Sequence, residues 1–361
     1  MNRKLTVAIT GLNATDNPGP GVAVARALRD APEHIGRIVG LAYDSMEPGI
    51  YQAELVDDVF LIPYPSQGSE ALLRHLEHVI AQTGVDVIIP TLDSELGNFI
   101  AVEPALRALG VGLFLPTAEQ LELRSKPQLT RLSENSALPV PHTLILPDVG
   151  DVESIEAEVG YPVAMKGAFY GAEIATNVHE AIAAYHKLLA KWGGPIIAQR
   201  FIDGESELNV VAVGDGKGGL IGAVPMKKTV LTDKGKGWAG VAIRDEALME
   251  ITRQFMATTR WRGPCEIELI RSRTGENYII EINPRFPAWC YLSAGAGMNL
   301  PLAVAQLASG EVVKPMSDYR AGTMFVRISL DQIVDLEDFG QLTSLGELSR
   351  WNHKAAKKAA S

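Results

Sequence analysis

The chain has 361 residues, 47% of them hydrophobic and 21% charged, with a formal net charge of −10. That balance describes a globular chain long enough for two or three structural units, not a disordered one, and it is too acidic for a dedicated nucleic-acid binder. Two cysteines, Cys265 and Cys290, make neither a disulfide framework nor a zinc cluster and read as core residues, and no apolar run approaches the ~18 residues of a membrane span.

The N-terminus runs directly into a strand without the apolar core and cleavage site of a signal peptide, so a cytoplasmic location is expected. Residues 5–10 read as a buried strand. A glycine- and proline-rich loop follows from Gly11 through Asp16 to Gly21, then an amphipathic helix from Val22 to Arg29. Strands at Ile38–Ala42, Val59–Ile62, Val85–Pro90 and Gly112–Leu115 alternate with helical patterns near 69–82 and 94–109. Such alternation implies a parallel sheet with helices on both faces. Residues 1–115 are therefore predicted to form one Rossmann-like α/β unit. Gly19 and Gly21 before a helix suit an anion at the helix N-terminus. Ala23 and Val24 break the G-x-G-x-x-G fingerprint, so a dinucleotide dehydrogenase is a weaker reading than a substrate-facing loop or a structural tight turn. Asp93 and Ser94 follow a strand, where they either line a ligand site or cap the next helix.

Ser125-Lys126-Pro127 opens a helix to about Ser136, and Thr143–Leu146 is a strand. A helix at 151–159, a strand at Tyr161–Lys166, a loop and strand over Gly167–Asn177, a helix at 178–191 and a strand at Pro195–Arg200 follow. From 201 onward the chain turns to β structure, at Leu208–Val213, Gly219–Met226 and 265–283, with a helix and a further strand within 300–335. The basic tail Lys354–Ser361 is expected to fray. Lys227, Lys228, Lys234 and Lys236 cluster with Gly235 and Gly237 as a flexible basic loop. None of the seven histidines has metal-ligand spacing, and no Ser-His-Asp or Cys-His arrangement occurs.

The segment from Glu266 to Arg285 carries most chemistry. It reads as two strands about a Thr274-Gly275 turn, and a two-residue turn places positions summing to 549 opposite each other. Glu268 then faces Glu281 (268 + 281 = 549), and Asn283 projects from the same face. Like charges facing on a half-buried sheet repel unless they share a proton or a cation. Two carboxylates and an amide oxygen form a hard-oxygen site of the kind that holds Mg²⁺ with substrate phosphates. Arg285 follows on that face and suits a phosphate or carboxylate. Glu266 and Glu276 are read as water-facing. Lys166 ends an apolar strand, where burial is costly unless an anion meets it.

The run Glu281-Ile-Asn283-Pro-Arg285, with Glu268 thirteen positions upstream, resembles the signature of ATP-grasp ligases, and residues 5–310 are similar to the carbamoyl-phosphate synthetase large-subunit branch. The resemblance implies ATP and Mg²⁺, with Mn²⁺ as an alternative, the metal held by Glu268, Glu281 and Asn283. It implies Lys126 and Lys166 on the phosphates, although Ser125 stands where the family usually has Asp. Gln199, Arg200, Phe201 and Ile202 match the hinge that hydrogen-bonds adenine, with Val163, Met226 and Leu269 around the ring. Arg200 cannot accept the ribose hydrogen bonds that an acidic residue takes in many relatives, so Glu207 takes that role. Arg285 and one lysine, assigned as Lys228, meet the γ-phosphate or the acyl-phosphate. The phosphate-covering loop departs from the family, since Gly167–Glu173 holds only two glycines, with Phe169 or Tyr170 as a substitute cover. Phe286-Pro-Ala-Trp289 either lines an acceptor pocket or is core.

The predicted fold is a Rossmann-like N-terminal domain (1–115), a first ATP-grasp lobe (116–198), a second lobe with the metal hairpin (199–335) and a C-terminal extension (336–361). The implied function is a carboxylate–amine ligase working through an acyl-phosphate and releasing ADP and phosphate. Its partners are small-molecule carboxylates and amines, amino acids or a peptide among them, with no nucleic acid and no membrane; a homodimer is left open. The alternative is a nucleotide-binding scaffold without turnover.

Overall fold

A computed structural model describes residues 3–14, 17–123, 125–134, 136–167, 171–233 and 235–351, without the side chains of Glu205 and Ser206. Asp16, Phe169, Tyr170, Lys234 and the basic tail lie outside the described residues. The first unit comprises β1 (Leu5–Ile9), α1 (Pro20–Arg29), β2 (Ile35–Ala42), β3 (Asp58–Leu61), α2 (Gly68–Thr83), β4 (Val87–Ile89) and α3 (Leu96–Ala108). Its strands pair in parallel in the order β3-β2-β1-β4. The strand expected at Gly112–Leu115 is reduced to one parallel bridge between Gly112 and Val87. The Gly11–Gly21 loop turns tightly against the sheet: Gly21 N–H donates to Gly11 C=O at 3.0 Å, and a Cβ on Gly21 would lie 1.9 Å from the Thr10 carbonyl oxygen.

Next come α4 (Ala118–Glu122), α5 (Lys126–Glu134), β5 (Thr143–Leu146), α6 (Ile155–Glu158), β6 (Val163–Gly167), β7 (Ala172–Ala175), α7 (Val178–Trp192) and β8 (Ile196–Arg200). The four strands form an antiparallel sheet in the order β5-β8-β6-β7. One face packs Val163, Met165, Ile196 and Ala198 against Ala181, Tyr185 and Leu188 of α7. Strand alternation therefore turns Ala164, Lys166, Ile197 and Gln199 to the other face.

The third group is β9 (Gly204–Asp215), β10 (Leu220–Leu231), β11 (Gly237–Ala242), α8 (Glu246–Thr259), β12 (Arg262–Ser272), β13 (Asn277–Asn283), α9 (Tyr291–Gly295), α10 (Leu300–Ala308) and β14 (Met324–Val326). They build a six-stranded antiparallel sheet, β13-β12-β9-β10-β11-β14. The helix α8 is not among the elements expected from the sequence. Asp245 caps it through Leu248 N–H, and Leu248, Phe255 and Met256 bury against Leu208, Ala212, Cys265 and Ile267. Of the expected flexible lysine loop, Lys227 and Lys228 lie instead within β10, paired with Val241 and Gly240, whereas Lys236 lies in the turn that joins β10 to β11. Finally α11 (Leu336–Leu345) leads to β15 (Glu347–Ser349), which joins β3 antiparallel. Residues 347–349 are thus part of the first sheet. No helix among the described residues is long and apolar enough to cross a membrane.

Candidate functional site

Glu268 pairs directly with Glu281, and Glu266 with Asn283. The register arises differently from the expected one. The turn holds three residues, Arg273 to Gly275, with Gly275 at φ +90° and Gly275 N–H donating to Ser272 C=O. Nearer the turn, paired positions sum to 548 (271 + 277), and the extra residue Ile280 restores 549 at the glutamates. This β-bulge re-aims Glu281 toward the site.

Glu266, expected to face water, is buried in the site. It accepts hydrogen bonds from Trp289 Nε1 (2.6 Å), Asn209 Nδ2 (2.7 Å) and Asn283 Nδ2 (3.0 Å). Burial, with the Glu268 charge beside it, pushes its carboxyl up to about 7. The parity that puts Glu268 on the site face puts Glu266 there too, so the signal was present in the sequence. Burial also raises Glu281, against the pull of Lys126, whose Nζ lies 3.8 Å away.

Across from the hairpin, Lys166 Nζ donates to Gln199 Oε1 at 2.8 Å, and Gln199 Nε2 donates to Thr143 Oγ1. Burial first, and then the charge of Lys126, lower Lys166 to about 8 despite Glu281 and Glu268. Lys126 is itself buried. Lys228 Nζ bridges Glu207 (2.9 Å) and Glu268 (3.6 Å); burial works against its charge, but the two carboxylates hold its pKa above the ordinary value. Arg200 N–H donates to His142 C=O, and Phe201 and Ile202 then link β8 to β9.

Two expected adenine walls point elsewhere. Val163 packs toward α7 and Leu269 toward α8, each on the face opposite its functional neighbour. Lys166 and Val163 differ by an odd number of residues, as do Glu268 and Leu269, so neither pair shares a face. Met226 is on the site face but fully buried, in a cluster with Val224 and Phe325. Ile270, two residues from Glu268, has the parity that Leu269 lacks.

A cavity of about 560 Å³ adjoins the hairpin. Its wall includes Asn13 and Gly19 of the first loop, Asp93, Glu266, Glu268, Glu281, Asn283, Arg285, Trp289 and Arg327. Arg285 Nε donates to Asp93 Oδ2 at 2.9 Å and Nη2 to Asn283 Oδ1 at 3.3 Å, which joins the first unit to the hairpin. Asp93 therefore belongs to the cavity, and Glu95 holds the loop before α3 by accepting from Thr91 and Leu92 N–H. Trp289 is a wall residue. Arg327, absent from the sequence-based set, has Nη1 buried without a hydrogen-bond partner.

The donor set suits a metal–nucleotide. Glu268 and Glu281 face each other, and Asn209 Oδ1, on the same face, is buried without a partner. Among the described residues no three Asp, Glu, His or Cys side chains converge on one metal position. The two facing carboxylates suit Mg²⁺, which takes one or two carboxylates and completes its shell with water and phosphate. Asn283 differs from the expected ligand, because its amide nitrogen faces Glu266 and Glu268 (3.0 and 2.9 Å) and its oxygen faces Arg285.

The chain is 23% identical over 306 residues to the N-terminal section of the carbamoyl phosphate synthase large chain of Methanopyrus kandleri, covering 78% of this chain and 52% of that protein. The chain thus spans about half the length of this curated relative. The fold is shared with the biotin carboxylase domain dimer of 2-oxoglutarate carboxylase from Hydrogenobacter thermophilus, solved with MgADP, ADP and bicarbonate (TM-score 0.70, 18% identity, 90% of this chain and 74% of that chain). It is also shared with N5-carboxyaminoimidazole synthetase from Staphylococcus aureus (TM-score 0.63, 15% identity, 87% and 80%). Residues 130–315 match the profile of the carbamoyl-phosphate synthase L chain, ATP binding domain, which is more than half of the chain; the chain belongs to that family, within the ATP-grasp ligases.

Proposed function

We propose that the chain is an ATP-dependent carboxylate–amine ligase that forms an acyl-phosphate and releases ADP and phosphate. The observation that carries this reading is the meeting of two kinds of charge, withdrawn wholly or partly from water, at one place. Lys126 and Lys166 crowd each other from one side, and Glu268 and Glu281 crowd each other from the other. Each pair is costly alone. Together they complement the negative phosphates and the positive metal of a metal–nucleotide.

In this reading Glu268 and Glu281 hold Mg²⁺, which lends positive charge to the terminal phosphates when bound. Lys126 and Lys166 bind phosphate oxygens, and the backbone of Gln199–Ile202 meets adenine. Glu207 meets the ribose, Ile270 lies against the ring, and Lys228 turns from Glu207 toward the γ-phosphate. A carboxylate oxygen of the substrate attacks the γ-phosphorus and ADP leaves. The amine nitrogen then attacks the acyl carbon, loses a proton, and phosphate departs. Arg285, fixed by Asp93, stabilises the charge that develops on the transferred group. The unpartnered Nη1 of Arg327 takes an anionic group of the carboxylate substrate. No protein nucleophile takes part. Residues 1–115, 116–198 and 199–335 form the three working units, with 336–351 returning to the first.

The reading is tested by ADP release across a panel of acids and amines. ADP formation that depends on a carboxylate and is accelerated by an amine supports it. ATP binding without turnover in every pair would favour a nucleotide-binding scaffold.

A further inference from the structure

The glycines before α1 suit an anion by sequence, but the fold spends the donors that an anion would need. Gly19 N–H donates to Asn13 C=O at 2.6 Å, Gly21 N–H to Gly11 C=O at 3.0 Å and Val22 N–H to Gly19 C=O at 3.2 Å, and Pro20 has no N–H. This wall of the cavity offers an acceptor instead. Asn13 Oδ1 is buried without a hydrogen-bond partner, and a Cβ on Gly19 would collide with it. Asp93 is the only charged residue that the first unit adds to the wall among the described residues. The third group of elements supplies the opposite character. Arg285 and Arg327 both line the cavity, and both oppose the effect of burial on the Cys290 thiol, which places the two guanidinium groups near one residue. Arg285 is paired with Asp93 at 2.9 Å and Glu266 at 3.6 Å, whereas Arg327 Nη1 has no partner. Three of the five buried side-chain atoms without a hydrogen-bond partner among the described residues line this one cavity: Asn13 Oδ1, Asn209 Oδ1 and Arg327 Nη1. Unpaired buried groups are costly, so their concentration here marks where a ligand supplies the partners. Asn209 pairs across the strands with Glu268 and belongs to the metal side. One acceptor, Asn13, and one cationic donor, Arg327, remain.

We propose that the carboxylate substrate is an amino acid with a free ammonium group. Its carboxylate faces Arg285 and Arg327, and its ammonium group donates to Asn13 Oδ1 in the field of Asp93. This assignment rests on the ligase reading above. A hydroxyl would also satisfy Asn13, but an ammonium group gains from the Asp93 charge as well. Held as a cation, that nitrogen has no lone pair and does not attack the acyl-phosphate; a second amine does.

The experiment is calorimetric titration of the standard amino acids, one at a time, into the full chain with Mg²⁺ and a non-hydrolysable ATP analogue. The deaminated analogue of each one that binds follows, such as glutarate for glutamate or propionate for alanine. At least one amino acid should bind about tenfold or more tighter than its deaminated analogue, which leaves Asn13 Oδ1 unpaired. Asn13→Asp keeps the acceptor and should preserve that ratio. Asn13→Leu removes it and should bring the two affinities to within about a factor of two, by weakening the amino acid and not the analogue. Should the leucine variant misfold, the wild-type ratio and the aspartate variant decide. Failure of every amino acid to bind overturns the proposal. So does equal affinity for the deaminated acids, or a ratio that survives in a folded Asn13→Leu variant. ADP release driven by acids regardless of an amino group would overturn this subsite and leave the ligase reading standing. Selective amino-acid binding without ADP release would do the reverse.

Discussion

Glu268 and Glu281 stand directly opposite each other on neighbouring strands, with Lys228 Nζ 3.6 Å from the first and Lys126 Nζ 3.8 Å from the second. Each carboxylate thus leans on a lysine from a different element while repelling the other. The pair is unfavourable for the empty fold and favourable for a bound cation. Glu281→Gln removes the repulsion, so stability should change by less than about 1 kcal/mol, or rise. Turnover should fall by at least about a hundredfold. A thermal melt and an ADP-release assay on the same preparation check this; full activity in the variant would remove Glu281 from the metal set.

Lys166 allows a test with opposite signs. Its pKa is about 8 in the fold against an ordinary 10.5, so between those values the unfolded chain binds more protons. The contribution of this group to the stability of the nucleotide-free protein should therefore rise with pH from about 8 to 10.5. ATP affinity should fall over the same range, because the lysine loses the charge that meets phosphate. Lys166→Ala should weaken ATP binding by about 1.5–3 kcal/mol and remove its pH dependence near 8. Calorimetric titrations at several pH values check both.

Glu266 fixes Asn283 by accepting its amide N–H, and Asn283 in turn donates to Glu268 Oε1 at 2.9 Å, so it orients a carboxylate proposed to hold Mg²⁺. Glu266→Gln places an amide against that donor and favours rotation of the Asn283 side chain. The Mg²⁺ concentration for half-maximal activity should rise about tenfold or more, the usual cost of losing an orienting partner. Magnesium titrations of activity at saturating ATP measure it.

Arg327→Met should raise the KM for the carboxylate substrate by about tenfold to a hundredfold, the scale of one charge-assisted hydrogen bond. ATP affinity should stay within a factor of about two, since the proposed partner of Arg327 is the carboxylate substrate and not the nucleotide. Steady-state kinetics and calorimetry separate the two effects.

Much of the architecture is legible in local pattern. The strands Thr143–Leu146 and Ile196–Arg200 and the helices α1, α2 and α7 fall close to their predicted bounds, because their apolar periods are clean and Gly or Asn marks an end of each helix. The facing of Glu268 and Glu281 was obtained through a two-residue turn, whereas the fold reaches it by a three-residue turn and a bulge at Ile280. Turn length and bulge offset each other, and neither is written in residue type alone. Parity would have excluded Val163 and Leu269 as ring contacts and included Glu266. α8 was overlooked although Asp245 and Leu248 announce it. The return of β15 to the first sheet is a long-range pairing with β3 that no local signal carries. Arg327 is recognisable only once its neighbours are known to leave Nη1 unpartnered.

The most direct test of the central claim follows oxygen from the carboxylate substrate. With both carboxylate oxygens labelled by oxygen-18, attack on the γ-phosphorus and later departure of phosphate should carry one labelled oxygen into inorganic phosphate, with ADP as the nucleotide product. Unlabelled phosphate, or release of AMP and pyrophosphate, would contradict the acyl-phosphate route.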